Sequence, residues 1–270
     1  MKKSLRLSLT VILAVVFLFS MTKVLRQQRE YSAASDSYSE AVSLASSGKP
    51  AAAVPTETAE PAEEEIRWVP APLDEEDPHI KTLEEMDMEA LREVNPDVIG
   101  WILIPDTKIN YPILQGEDND FYLDHNWKGT KSSVGSIYLE HHNNPNLTDF
   151  NAIIYGHNMK NGSMFAGLHH FRYQKHYEEH PYVYVRTGLG TYRYDIFAAY
   201  RADIEGNTYA LYFPDDAFKE AFLNNALVDS VIETGVEPSV TDRILTLSTC
   251  SGAGYSTRWV VQARLQMVQE

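Results

Sequence analysis

Cysteine is almost absent: Cys250 is the only one in 270 residues. A lone thiol excludes an intrachain disulfide framework and any cysteine-cluster metal site. It leaves a buried filler, a stray thiol or a nucleophile. Positive charge is also scarce, with 23 Lys+Arg against 38 Asp+Glu and a net charge of −15. Nucleic-acid binders normally show a basic face, so that class is disfavoured. The deficit is uneven. Residues 1–30 hold six basic groups and one acid, Glu30, whereas residues 31–270 hold 17 basic and 37 acidic groups, a net −20. Internal repeats are absent, and long uncharged apolar runs are absent after residue 22. At 44% hydrophobic and 23% charged, the chain is nevertheless of globular composition.

The one uncharged run, residues 7–22 (LSLTVILAVVFLFSMT), has Lys2, Lys3 and Arg6 before it and Lys23, Arg26 and Arg29 after it. A bilayer needs about 20 apolar residues, and Lys23 and Arg26 extend the run by snorkelling. A cleaved signal peptide is the rival, but Lys23-Val24-Leu25-Arg26 makes a poor cleavage site. The expectation is a cytoplasmic tail at 1–6, a single-pass signal anchor at 7–25 in the cell membrane, and an extracellular domain beyond it. Ala, Ser, Pro and Glu supply 25 of the 35 residues in 31–65, a composition with too little apolar area to offset chain entropy. Residues 26–80 are therefore expected to be an extracellular linker, with 31–65 a plain spacer in preference to a frayed helix continuing over part of 31–46, and 81–270 the folded domain.

From residue 82 the pattern becomes that of a folded domain. Thr82-Leu83-Glu84-Glu85 has the form of a capping box, and Leu83, Met86, Ala90, Leu91 and Val94 recur at helical spacing. This predicts a helix over 83–94, stopped by Asn95-Pro96. Short β-type runs follow at 98–104, 108–114, 134–139, 151–156, 182–187, 191–201, 244–249 and 258–267, separated by turn residues. Eight such runs indicate a mostly β barrel or sandwich. Helical interruptions are expected at 163–169, at 171–179 and after Pro214.

Three chemistry-bearing residues end or open these runs. Cys250 closes Ile244-Leu245-Thr246-Leu247-Ser248-Thr249 and enters Ser251-Gly252-Ala253-Gly254. An ordinary thiol is only a few per cent thiolate at neutral pH and needs a basic or cationic neighbour to act as a nucleophile. Arg258 opens the next run, so a hairpin of 244–249 with 258–267 places it near Cys250, where a guanidinium holds oxyanion charge. His157 follows Ile153-Ile154-Tyr155-Gly156 at the end of another run. A thiol and an imidazole brought together from distant strands is the usual thiol-enzyme arrangement.

With these residues the chain resembles the sortases, membrane-anchored cysteine transpeptidases of Gram-positive bacteria. The resemblance rests on Thr246-Leu247-Ser248-Thr249-Cys250 with Arg258, and on Tyr155-Gly156-His157-Asn158-Met159 with Gly162-Ser163-Met164-Phe165. It rests also on Asn95-Pro96-Asp97-Val98-Ile99-Gly100-Trp101 and Ile109-Asn110-Tyr111-Pro112-Ile113, and it covers roughly 82–267. The N-terminal helix, the helix between the late strands and the Ser before Thr-Cys are similar to class B. Glu140-His141-His142-Asn143 departs from the Asp-aromatic-Arg-Asn expected there.

The resemblance implies an eight-stranded sortase-type β-barrel with an N-terminal helix and a helix inserted between late strands. It implies Cys250 as nucleophile, His157 as general acid and base, and Arg258 as oxyanion and substrate stabiliser, helped by backbone N–H groups after Cys250. Ser248, Thr249 and Tyr155 are expected to line the substrate groove. The partners implied are secreted proteins bearing a C-terminal sorting signal and an amine of the peptidoglycan precursor, with a pilin lysine as the alternative acceptor. No cofactor, metal ligand or nucleic-acid partner is expected. Two remoter alternatives stand beside it: a zinc metallopeptidase using the His-x-x-Glu-His pattern of His176, Glu179 and His180, and a non-enzymatic anchored scaffold.

Overall fold

The protein is described by a computed structural model over residues 2–47, 68–74, 77–250, 252 and 256–269. In chain order the elements are α1 (Lys2–Ser47), β1 (Trp68–Pro70), α2 (Pro78–Glu84), α3 (Met88–Val94), β2 (Val98–Leu103), β3 (Asn110–Leu114), β4 (Ile137–Leu139) and β5 (Asn151–Tyr155). Then come a 3-10 segment (Phe165–Arg172), α4 (Gln174–Glu179), β6 (Tyr182–Arg186), β7 (Thr191–Asp203), α5 (Asp216–Asp229), β8 (Arg243–Cys250), β9 (Thr257–Leu265) and β10 (Met267–Gln269). Strands β2 to β9 close into a barrel in the order β2-β3-β4-β5-β8-β9-β7-β6, with β6 pairing back onto β2. Closure removes free sheet edges. The mostly β, eight-stranded expectation holds, and each strand lies within two or three residues of its run.

Two pairings in the barrel are parallel, β3 with β4 and β5 with β8. The rest of the ring is antiparallel, including the long β7–β9 and β8–β9 ladders. Trp101, Ile113, Ile154, Val183, Ile196, Leu245, Leu247 and Val261 are fully buried in the main core. A buried polar chain ties four neighbouring strands together. Thr246 Oγ1 donates to Asn151 Oδ1 (2.7 Å), Gln262 Nε2 to Thr246 Oγ1 (2.9 Å) and Tyr200 OH to Gln262 Oε1 (3.1 Å). Such groups are tolerated inside because they are satisfied, and they pin the register of β5, β8, β9 and β7. A second core lies beneath α5, where Phe222, Leu223 and Ala226 meet Phe197, Tyr200 and Val260.

The helix expected over 83–94 is two short ones. Asp77, not Thr82, caps α2 and accepts from His79 N, with Pro78 opening the first turn. The Thr82 hydroxyl bonds back to Pro78 O at 2.7 Å. Asp87 then starts a new helix by accepting from Ala90 N at 2.9 Å, while its own N–H donates to Ala45 O at 2.7 Å. An Asx cap inside a periodic run restarts the helix on a new axis.

The N-terminal expectations need correction. Among the described residues no helix is long and apolar enough to cross a membrane, which removes the basis for a single-pass anchor at 7–25 and for the membrane localisation built on it. The uncharged run of 16 residues spans about 24 Å as helix, short of a hydrocarbon core of about 30 Å. Over 31–47 the expected spacer is helix. Ala34, Tyr38, Ala41 and Ala45 are buried, one stripe at i, i+4, i+7 and i+11 that lies on the barrel. Tyr38 meets Tyr111 edge-on at 5.2 Å, Trp127 Nε1 donates to Ser37 O at 2.9 Å, and Lys128 pairs with Glu40 at 2.5 Å. Residues 68–70, expected as linker, are β1, paired antiparallel with β10. The remaining spacer, 48–65, lies outside the described residues.

Candidate active site

Strand register brings the three singled-out residues to one rim. Cys250 and Arg258 are direct partners in the β8–β9 ladder. Tyr155 is the partner of Ser248 in the parallel β5–β8 pair, and Gly156 N donates to Ser248 O at 3.1 Å. Because the two strands run the same way, His157 lies two residues beyond Tyr155 just as Cys250, the last residue of β8, lies two beyond Ser248. Cys250, His157 and Arg258 all line a cavity of about 300 Å³, with Ser248, Thr249, Tyr155, Gly156, Tyr138, Asn119, Asp120 and Leu123. Cys250 is exposed, and Arg258 is half-buried. Of the three original readings of the lone cysteine, its exposure excludes the buried filler.

Local packing sets each of these groups. Gly156 has no room for a side chain: a Cβ there would lie 2.5 Å from Ile137 Cδ1 and 2.7 Å from Phe165 Cγ. The His157 Nε2 is 2.6 Å from Leu123 O. A carbonyl oxygen only accepts, so this bond places the proton on Nε2 and leaves Nδ1 as the basic nitrogen. Leu123 O is itself held close to Gly135, whose φ is +61° and whose Cβ, if present, would lie 2.6 Å from that oxygen and 2.9 Å from the His157 ring.

Two residues not singled out from the sequence fix the Cys250 backbone. Asn158 Nδ2 donates to Cys250 O at 3.0 Å, and His169 Nε2 donates to the same oxygen at 2.9 Å. His169 stacks on Trp259 with ring centroids 5.7 Å apart. Burial, with the nearby Arg172 and Arg201 guanidinium groups, outweighs that hydrogen bond and lowers its affinity for a proton. It therefore acts as a neutral donor at neutral pH. Asn158 directly follows His157 in the motif, a usable signal. His169 is one of nine histidines and carried none.

The three expected groove residues differ in what they offer. Tyr155 is half-buried, donates to Glu140 Oε2 at 3.2 Å and lies parallel to Tyr209 with ring centroids 6.5 Å apart. Burial and the Glu140 carboxylate push its phenol well above the usual range, so it stays protonated. The Ser248 hydroxyl is buried and engaged with Tyr209 OH at 2.9 Å. Burial pushes Tyr209 up to about 12 despite that bond. Thr249 Oγ1 is buried and makes no hydrogen bond. Ser251 and residues 253–255, whose N–H groups were expected to help hold an oxyanion, lie outside the described residues.

Glu140 is buried beneath the cavity wall. Its Oε2 accepts from Asn119 and Tyr155, and its Oε1 from His142. Burial alone would raise its pKa, but the donors His142, Asn119 and Tyr155 together hold the carboxyl below the usual range. The alternative His176, Glu179 and His180 set does have ligand atoms within reach of one another. However, α4 is only Gln174–Glu179, His180 has left the helix with Nδ1 on Pro105 O at 3.0 Å, and none of the three lines the Cys250 cavity.

Comparison with known proteins agrees with this geometry. The sortase domain family matches residues 102–266. Sortase B of Listeria monocytogenes is 40% identical over 181 residues, covering 66% of this chain and 74% of that protein. The Staphylococcus aureus sortase B–substrate complex superposes with a TM-score of 0.63 at 31% identity, covering 70% of this chain and 86% of the other. A sortase B complexed with triglycine gives 0.63 at 33% identity, covering 67% and 85%. The chain belongs to the sortase family of cysteine transpeptidases and is similar to its class B members.

Proposed function

We propose that this sortase cleaves a C-terminal sorting signal and joins the freed acyl group to an amine, with Cys250 as nucleophile, His157 as acid and base, and Arg258 as oxyanion and substrate stabiliser. The observation that carries the reading is the register: Cys250 opposite Arg258, and His157 at the parallel strand's end, on one cavity. The Cys250 Sγ attacks the scissile carbonyl carbon, the C–N bond breaks, and His157 gives a proton to the leaving amine. The acyl group rests on Cys250 as a thioester. His157 then removes a proton from the incoming amine, which displaces the thiolate and forms the new amide. Arg258 holds the oxyanion in both steps. The neutral Asn158 and His169 donors keep the Cys250 backbone in place.

The substrate complex of the S. aureus relative supports a sorting-signal donor, and the triglycine complex of another sortase B supports an amine acceptor. We assign the acceptor as an amine of the cell-wall precursor, and the catalytic domain as the expected 81–270 extended back to Asp77, which caps α2. Tyr155 lines the groove with its ring. Ser248 and Thr249, both buried, shape the groove from behind.

The test is cleavage of a sorting-type peptide library by the full chain, with mass spectrometry of the trapped acyl-enzyme. An acyl adduct on Cys250, and loss of cleavage in Cys250→Ala or after alkylation, is the expected result. Cleavage that survives Cys250→Ala would overturn the nucleophile assignment and favour the metallopeptidase alternative.

A further inference from the structure

The loop after β4 reads Glu140-His141-His142, and its three side chains converge. Glu140 Oε1 lies 3.0 Å from Nδ1 of His141 and 3.0 Å from Nδ1 of His142. The three ligand atoms all lie within 4.8 Å of one another. The two imidazole rings are 3.7 Å apart between centroids and tilted by 43°. The His142 contact has hydrogen-bond geometry. The His141 contact does not: its Nδ1 is buried, close to the carboxylate and without a hydrogen bond. The His141 Nδ1 therefore has the Glu140 carboxylate within ion-pair reach but no aligned hydrogen bond, an arrangement that a cation seated between the three groups would complete.

We propose that Glu140, His141 and His142 form a binding site for a single zinc-type divalent cation. Ligand atoms spaced about 3.0–3.5 Å apart are what a cation bonded at roughly 2.0–2.2 Å to each requires. Two imidazole nitrogens and one carboxylate oxygen suit zinc, whereas calcium and magnesium prefer oxygen throughout. Three protein ligands leave a fourth position for water. Both imidazoles bind the ion through Nδ1, and for His142 the proton that bonds Glu140 Oε1 in the metal-free site moves to Nε2. The surroundings attract a cation. His141 borders a cavity of about 490 Å³ whose wall also carries Asp97, Glu117 and Asp118.

The outer shell is in place as well. Asn119 donates to Glu140 Oε2 and accepts from His141 N at 3.0 Å, and Gln115 Nε2 donates to Glu140 O at 3.1 Å. Such partners orient metal-binding side chains. The Glu140 carboxylate faces two ways: Oε1 towards the cation, Oε2 towards Tyr155 and Asn119, which line the Cys250 cavity. The bound ion fixes that wall from behind and takes no part in bond making. The site accounts for the departure at 140–143 and replaces the expectation that no residue here binds metal.

The probe is zinc chloride, titrated calorimetrically into the full chain after chelation and dialysis. Cys250→Ala is measured in parallel, so that the thiol is not counted as a ligand. One zinc per chain is expected in both. That binding should be lost in His141→Ala and in His142→Ala, and kept in His176→Ala. Circular dichroism on each variant establishes that it is folded, and Glu140→Gln, which keeps an acceptor for Tyr155, should also lose the ion. Absence of stoichiometric binding in the unmodified chain, or binding that persists in folded His141→Ala and His142→Ala, overturns the proposal. Loss of zinc only in His176→Ala would place the ion on α4 and overturn it equally.

Discussion

Arg258 and Cys250 share one rung of the β8–β9 ladder and line one cavity, which is the basis of the oxyanion role proposed for Arg258. Arg258→Lys keeps the charge and loses the planar pair of donors. It should lower kcat/KM on a sorting-signal peptide by about 10²–10³ while the thermal midpoint stays unchanged. Turnover near that of the unmodified chain would remove the oxyanion role. Gly135 is a second telling residue, because its φ of +61° and its closeness to Leu123 O leave no place for a Cβ. Gly135→Ala should destabilise the fold by about 2 kcal/mol or more, read as a shift in the denaturation midpoint. It should also depress kcat, since the displaced carbonyl is the one that orients His157. At this scale the sequence made candidates of Cys250, His157 and Arg258 because each sits where an apolar run meets a polar loop, and the structure brings all three to one cavity. It hid His169 because that contact joins a loop histidine to a backbone oxygen 81 residues away.

Strands were more legible than helices. Each barrel strand is a short apolar run between turn residues, a signal that survives any arrangement in space. The break between α2 and α3 was missed because hydrophobic spacing continues through it, and only the Asp87 cap gives it away. The docking of α1 on the barrel is hidden in the sequence for another reason. Its buried stripe is three alanines and one tyrosine, which barely register as apolar yet let a helix approach closely. Tyr38 is the anchor of that stripe, with its OH donating to Gly135 O at 2.8 Å. Tyr38→Phe keeps the ring and leaves a buried carbonyl unpaired, which costs about 1–3 kcal/mol. Chemical denaturation should detect that loss. Because Gly135 abuts the Leu123 carbonyl, kcat should also fall; an unchanged kcat would show that α1 stabilises the barrel without reaching the site.

For the molecule as a whole, acid sensitivity has an identifiable source. Burial lowers the His176 pKa to about 4 from its usual 6.5, with His180 and His170 adding repulsion. The folded chain therefore refuses a proton that the unfolded chain accepts. The corresponding stability is intact above about 6.5 and is lost as pH falls from there towards about 4. His176→Gln, which cannot titrate, should flatten the dependence of the urea midpoint on pH across that window. An unchanged slope would place the acid sensitivity elsewhere. The net −20 of residues 31–270 acts in the opposite sense, since acid relieves its self-repulsion.

The parallel pairing of β5 with β8 carries a consequence for how the chain matures. The two strands meet across roughly 90 residues of intervening chain, and a slip of one residue moves His157 by about 3.3 Å and reverses its face. No local fragment can therefore assemble the thiol with its imidazole. On the proposed roles, thioester formation on Cys250 therefore awaits closure of the ring of strands, whatever the thiol's ordinary reactivity before it.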